Sequence, residues 1–149
     1  MTTIDPIAID LLLAQGQGLF ELHRAEVGDA ASKLPLAVDG DIFRAMERAG
    51  ILLSLGVFCM DRVVGYAVGT VTKHHFSSET LVGNALAIYV HPSFRRRGNG
   101  RTLKNRFEAA AFERGAVEVR WHAPKHAPLL ALLRNAQELE TTYVVKKHG

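Results

Sequence analysis

Apolar and polar positions along this chain follow two different periods, which together predict a mixed α/β arrangement. After Asp41 the apolar residues recur at i, i+3, i+4 and i+7, as on one face of an amphipathic helix. Residues 117–122 instead alternate apolar with charged side chains, the period of a strand. The predicted helices span 7–14, 19–27, a short segment from Asp41, 101–114 and 129–137. The predicted strands span 51–60, 63–72, 81–90, 117–122 and 139–146.

Turn-forming residues mark the connections between these segments. Asp5-Pro6 is a favourable N-cap and first residue for the first helix, and Asp61-Arg62 predicts a tight hairpin turn. Pro35 assigns 30–37 to a loop, and the histidine-rich segment 73–79 reads as a polar connection. With 149 residues, the chain is expected to form one domain, 1–149, with its own core.

The stretch from Ala85 to Gly100 carries the clearest chemical signal. An apolar strand ends at His91-Pro92, because proline supplies no N–H for the ladder. A basic loop and two glycines follow, and a helix begins directly after them. A helix N-terminus offers unpaired N–H groups and partial positive charge, and glycines let a phosphate approach the backbone. These residues therefore predict a site for a pyrophosphate.

The spacing Arg95-x-x-Gly98-x-Gly100, behind Val90 and Pro92, resembles the core motif of the GNAT acetyltransferases. The resemblance in element order covers about 40–147, while specific residue matches lie within 85–101. It implies an α/β (α+β) fold with a mixed, mostly antiparallel twisted sheet, splayed at the central strand and flanked by helices. It also implies acetyl-CoA as co-substrate and direct transfer of an acetyl group to an amine, of a small molecule or a protein, in a ternary complex.

By the same resemblance, main-chain groups of the central strand hold the pantetheine arm, and the loop holds the phosphates. The cofactor-binding residues expected on this basis are Ile88, Tyr89, Val90, Arg95, Arg96, Arg97, Gly98, Asn99, Gly100 and Arg101.

The residues for proton transfer are less clearly indicated. Many family members carry an acid on the central strand, where this chain has Asn84, and a tyrosine in the late helix, where 129–133 has none. The hypothesis is a base at His75 assisted by Glu26, because unperturbed imidazole titrates near neutral pH. A water relay, His23 or His122 remain alternatives, as does a non-catalytic acyl-CoA-binding or interaction module on the same fold.

Composition narrows the remaining possibilities. The net charge is +3, with a basic cluster between Arg95 and Arg106 that suits an anionic ligand. Nucleic acid is not expected as a partner, because Phe94 is the one aromatic residue interleaved with the arginines. Cys59 is the single cysteine, and no metal site is expected. No apolar run reaches membrane-spanning length, so a cytoplasmic protein is expected, and a homodimer stays open. Similarity of the histidine-containing segments, among them 20–26, suggests a phage-type subset of the family.

Overall fold

In the computed structural model, residues 1–27, 36–125, 127–140, 143 and 145–147 are described. Within them, five strands form one sheet in the order β1-β2-β3-β4-β5. Neighbours from β1 to β4 are antiparallel, whereas β4 and β5 are parallel. The parallel pair needs a crossover connection, which the long helix between them provides. The strands are β1 Thr3–Pro6, β2 Leu52–Cys59, β3 Arg62–His74, β4 Ser77–Val90 and β5 Ala116–Trp121.

Helices cover both faces of the sheet and give it two apolar cores. Helix α4 packs one face through Leu103, Phe107 and Ala111, all fully buried. The other face packs against α1 and α2, with Ile9 and Leu12 in the same cluster as Tyr66, Val68 and Tyr89. The helices are α1 Ile9–Gln15, α2 Gln17–Val27, α3 Gly40–Arg48 and α4 Asn99–Glu113.

The sheet opens between β4 and β5. Their pairing ends where Ala85 meets Trp121, yet β4 continues to Val90. At the same point β4 has a bulge: Val68 pairs with Ala87 and Gly69 with Ala85, so Leu86 has no partner residue on β3. A bulge bends its strand and increases the local twist. Because β5 ends at Trp121 while β4 continues, a gap remains beside 86–90, between β4 and the residues that follow β5.

The predicted fold class is confirmed, including the mostly antiparallel open sheet and the flanking helices. Each predicted helix up to 101–114 and each predicted strand from 51–60 to 117–122 has its counterpart.

Four local predictions were wrong. Asp5-Pro6 ends the unpredicted strand β1 instead of capping α1, whose N-cap is Ala8. The connection 73–79 is a two-residue turn, because β3 and β4 extend into it. The helix 129–137 is reduced to a 3₁₀ segment, Pro128–Leu132. The described residues of 139–146 form no strand. The loop 30–37 lies outside the described residues up to position 35.

None of the described helices is both long enough and apolar enough to cross a lipid bilayer.

Candidate active site

A cavity of about 790 Å³ occupies the gap between β4 and β5. Its lining comes from both faces of the sheet, so the cavity passes beside β4 from one face to the other. We call the part bordered by Gly98, Gly100, Arg101, His122 and Leu132 the α4 arm. The part bordered by residues of α1, α2 and α3 and by the segment before α3 is the α1 arm. The cavity can thus accept two molecules that meet at β4.

The α4 arm ends at the N-terminus of α4. Arg97 (φ 72°) and Gly98 (φ 77°) are both left-handed, and the chain turns from them into the helix. No side chain caps this helix, because the N-cap residue is Gly98; Asn99, the first helical residue, donates its amide to Phe94 O at 2.6 Å and accepts from the Thr2 hydroxyl at 2.9 Å. The N–H groups of the first turn remain available to an anion. Gly100 keeps the approach open: a Cβ there would meet nothing nearer than Leu132, at 3.7 Å.

The arginines of the loop have different surroundings. The side chains of Arg96, Arg97 and Arg101 are exposed beside the helix N-terminus. Arg95 instead donates from Nη1 and Nη2 to Glu26, at 2.5 and 2.6 Å, and from Nε to Val90 O at 2.8 Å. Its guanidinium also lies 5.2 Å from the Tyr89 ring centroid. Arg95 therefore fastens α2 to the end of β4, and its charge is already paired.

Glu26 is the acid on α2 that Arg95 binds. It accepts a further hydrogen bond from the Tyr89 hydroxyl at 3.0 Å. The hydrogen bond from Arg95 lowers the pKa of Glu26, and burial works against it. The carboxylate is thus held ionised by its partners, which makes it a poor proton acceptor at neutral pH.

A second polar cluster faces the cavity from α2 and the sheet. His23 Nδ1 lies 2.7 Å from the Tyr66 hydroxyl, and the imidazole stacks on Tyr89 with centroids 4.8 Å apart. Burial lowers the pKa of His23 below 6.5, with Glu26 acting in the opposite sense. Burial also raises the pKa of Tyr66, so the phenol keeps its proton. At neutral pH the cavity is therefore bordered by an uncharged imidazole.

A family comparison decides the identity of the domain. The profile of the acetyltransferase (GNAT) family matches residues 17–135, which is most of the chain. The chain belongs to the GNAT acetyltransferase family. The sequence-based prediction of this family is thereby confirmed, while the phage-type subset stays a prediction. A direct comparison with curated proteins found no match.

Solved structures with the same fold agree with this identification. A ribosomal-protein-alanine N-acetyltransferase from Brucella melitensis is 17% identical, with a TM-score of 0.73 and coverage of 98% of this chain and 99% of that one. An aminoglycoside acetyltransferase from an uncultured soil sample, bound to sisomicin, is 16% identical, with a TM-score of 0.70 and coverage of 99% and 97%. A predicted acetyltransferase from Clostridium acetobutylicum, with acetyl-CoA, is 12% identical, with a TM-score of 0.74 and coverage of 99% and 96%. At these identities the likeness shows the fold alone.

The proposed proton-transfer pair is not assembled in this GNAT domain. His75 is exposed in the turn between β3 and β4, whereas the cavity begins at Leu86 near the other end of β4. At about 3.3 Å per residue, the part of β4 between them spans roughly 30 Å. Glu26 lies at the cavity end, bonded to Arg95 and Tyr89. Of the alternatives, His23 and His122 both line the cavity.

Of the predicted cofactor residues, Ile88, Tyr89, Val90, Arg95, Gly98, Gly100 and Arg101 line the cavity. Tyr66 is the polar residue that sequence reasoning missed. One signal was available, since a tyrosine within a buried strand usually needs a partner for its hydroxyl. Nothing in the sequence indicated that this partner is His23.

Among the residues that the structure describes, no three His, Cys, Asp or Glu side chains converge on a position suited to a metal ion.

Proposed function

We propose that this GNAT domain binds acetyl-CoA in the gap between β4 and β5 and acetylates an amine that enters through the α1 arm. The observation that carries the proposal is the loss of β4–β5 pairing after Ala85 and Trp121, next to the bulge at Leu86. A strand edge without a partner can pair with the amides of a pantetheine arm much as it would with another strand. The cavity opens at this edge and leads to the uncapped N-terminus of α4.

The pyrophosphate is assigned to the N–H groups at the start of α4. The helix dipole and the unpaired N–H groups favour an anion there, and the exposed Arg96, Arg97 and Arg101 add positive charge. Arg95 has a different part in the proposal. Its hydrogen bond to Val90 O occupies a main-chain acceptor near the cofactor gap, so it shapes the edge that the pantetheine meets.

For the proton we propose His23 in place of His75. The acceptor nitrogen attacks the thioester carbonyl carbon, the C–S bond breaks, and CoA leaves as a thiolate. The amine loses one proton in the same process, and an imidazole that is neutral at pH 7 can accept it. This role requires the tautomer in which Nδ1–H donates to the Tyr66 oxygen, because Nε2 then presents the free lone pair. The proton finally reaches the thiolate or water, which balances the reaction as amide plus CoA.

Gly100→Val tests the cofactor site. Gly100 is the second residue of α4 and a side chain there has room in the protein, so the variant is expected to fold while the valine fills the phosphate approach. We expect at least a tenfold loss of acetyl-CoA affinity by calorimetry. Gly98→Val is a weaker test, because a branched residue at φ 77° is strained whatever its effect on the ligand.

The chain offers a matched control in Gly18→Val. Gly18 is likewise the second residue of its helix, α2, and a Cβ there would contact nothing within 4 Å. It does not line the cavity. Wild-type affinity is expected in this control. A folded Gly100→Val protein with wild-type affinity for acetyl-CoA would refute the assignment of the site.

A further inference from the structure

The α1 arm of the cavity has an apolar wall. Side chains from three helices, one strand and the segment before α3 contribute to it: Leu13, Phe20, Leu36, Val38, Phe43 and Val68. Leu36 and Val38 are 38% and 37% exposed, and Leu86 on the cavity edge is 54% exposed. Exposed apolar side chains that converge in a concave site are typical of a surface that a ligand covers.

The charges around the same cavity are unfavourable for a polycation. Among the described lining residues, Asp39 is the single acid. Arg24 on α2 is basic, whereas the charge of Arg95 is paired with Glu26 and Arg101 borders the α4 arm. Asp39 Oδ1 already caps α3 by accepting from the Asp41 and Ile42 amides, at 3.1 and 3.2 Å, so this acid offers an ammonium group one further oxygen, Oδ2. A buried ammonium group without a carboxylate partner is costly, and each further one adds to that cost.

A single amine does not meet the same obstacle. It must lose its proton before it can attack the thioester, and an apolar environment lowers the pKa of an ammonium group. The wall that rejects additional charges therefore favours the reactive form of the one amine that is acetylated. His23, which lines the cavity from α2, is neutral for the same reason.

From these observations we propose that the acceptor is a small primary amine on an aromatic or aliphatic body without a second cationic group. The inference rests on the proposed function and adds the substrate class to it. It separates this chain from the aminoglycoside acetyltransferases that share its fold. It also favours a small molecule over a protein N-terminus, because one cavity of about 790 Å³ must hold both the pantetheine arm and the acceptor.

The test compares acceptors at one pH and one acetyl-CoA concentration, with kcat/KM expressed per concentration of free amine and release of CoA thiol as the readout. Phenethylamine and hexylamine represent the proposed class, spermidine and kanamycin the polycations, and a peptide with an N-terminal alanine the protein class. We expect kcat/KM for the first pair to exceed the others at least a hundredfold. Equal or better turnover of a polycation or of the peptide would overturn the inference, as would tight acetyl-CoA binding with no turnover of either apolar amine. Failure to bind acetyl-CoA would instead overturn the proposed function.

A charge placed in the wall provides the second arm of the test. Val38→Glu supplies a carboxylate to the α1 arm and should raise the ratio of kcat/KM for spermidine to that for phenethylamine at least tenfold. Leu22→Glu is the matched control, because Leu22 has a similar exposure of 43% but does not line the cavity. Its ratio should stay within twofold of wild type. Leu36→Glu, at a second position of the same wall, repeats the test if Val38→Glu does not fold, and an unchanged ratio in a folded variant would contradict the proposed class.

Discussion

His23 combines two properties that a base for amine acetylation needs. It is half-buried against Tyr66 and Tyr89, so its imidazole is oriented by a hydrogen bond on one side and by stacking on the other. Burial lowers its pKa, because the imidazolium would lose water that the surrounding aromatic rings do not replace. The imidazole is therefore uncharged at neutral pH, and its lone pair is available.

Replacing His23 tests this role through the pH dependence of the reaction. We expect His23→Gln to lower kcat by about a hundredfold with little change in acetyl-CoA affinity. In the wild type, the acid limb of kcat/KM should fall below pH 6.5, measured with an amine whose own pKa lies far above that range. His75→Gln, in the exposed turn, is the control. It should retain the wild-type kcat and the acid limb of the pH profile of kcat/KM. A hundredfold loss in His75→Gln would favour the pairing expected from the sequence.

Stability offers a readout of the same group that is independent of turnover. The pKa of His23 is lower in the native protein than in the unfolded chain, so below pH 6.5 the unfolded chain binds the proton first. The free energy of unfolding should therefore decrease as pH falls below 6.5, because the unfolded chain binds more protons than the native protein in that range. His23→Gln should flatten this decrease. An unchanged slope would show that the imidazole is not held neutral.

At the scale of elements, an ion pair joins α2 to the end of β4. Arg95 and Glu26 form a bidentate pair whose side chains are 34% and 30% exposed, and both contact Tyr89. The pair joins the helix that carries His23 to the strand that borders the cofactor gap. Solvent screening limits its contribution to stability, which we place at about 1 kcal/mol.

A double-mutant cycle separates the structural role of the Arg95–Glu26 ion pair from phosphate binding by the other arginines. Arg95→Gln and Glu26→Gln should each lower the free energy of unfolding, with a coupling of about 1 kcal/mol between them. Arg97→Asn removes a charge at a left-handed position that asparagine tolerates. It should weaken acetyl-CoA at low salt, less so at high salt, with stability little changed. Additive effects of the first two substitutions, or salt-dependent acetyl-CoA loss in Glu26→Gln, would contradict this division.

The elements that are adjacent in the chain could be predicted from the sequence, whereas contacts between distant elements could not. Helix α4, the basic loop and the preceding strand are adjacent in the chain, so local spacing was enough to predict a candidate pyrophosphate site there. Strand β1 was missed because Asp5-Pro6 is also a good helix start, and proline is tolerated at the end of an edge strand. In contrast, His23 and Tyr66 are 43 positions apart in the sequence, and Glu26 and Arg95 are 69 positions apart. Such pairs depend on how α2 lies on the sheet, which no local pattern specifies.

At the scale of the whole molecule, the sheet lies between two apolar cores, and the cavity passes beside β4 from one face of the sheet to the other. On one face lies α4 with its core, and on the other lie α1 and α2 with theirs. Strand β5 is paired with β4 from Leu81 to Ala85 and not beyond. A ligand in the gap would contact β4, the start of α4 and the residues after β5 together. Acetyl-CoA is therefore expected to stabilise the domain as well as to bind it.

The size and the location of that stabilisation are both measurable. At a concentration of 100 times Kd, a ligand that binds only the native state adds about 2.7 kcal/mol, or roughly 5–10 °C in Tm for a chain of this size. Hydrogen exchange should slow most at 86–90 and in the first turn of α4, and least in β1 and β2, which lie at the opposite edge of the sheet. At the same acetyl-CoA concentration, the tenfold or greater loss of affinity in Gly100→Val should remove at least about half of the stabilisation, and Gly18→Val should retain it. Uniform protection, or protection confined to β1 and β2, would mean that acetyl-CoA binds somewhere other than the gap between β4 and β5.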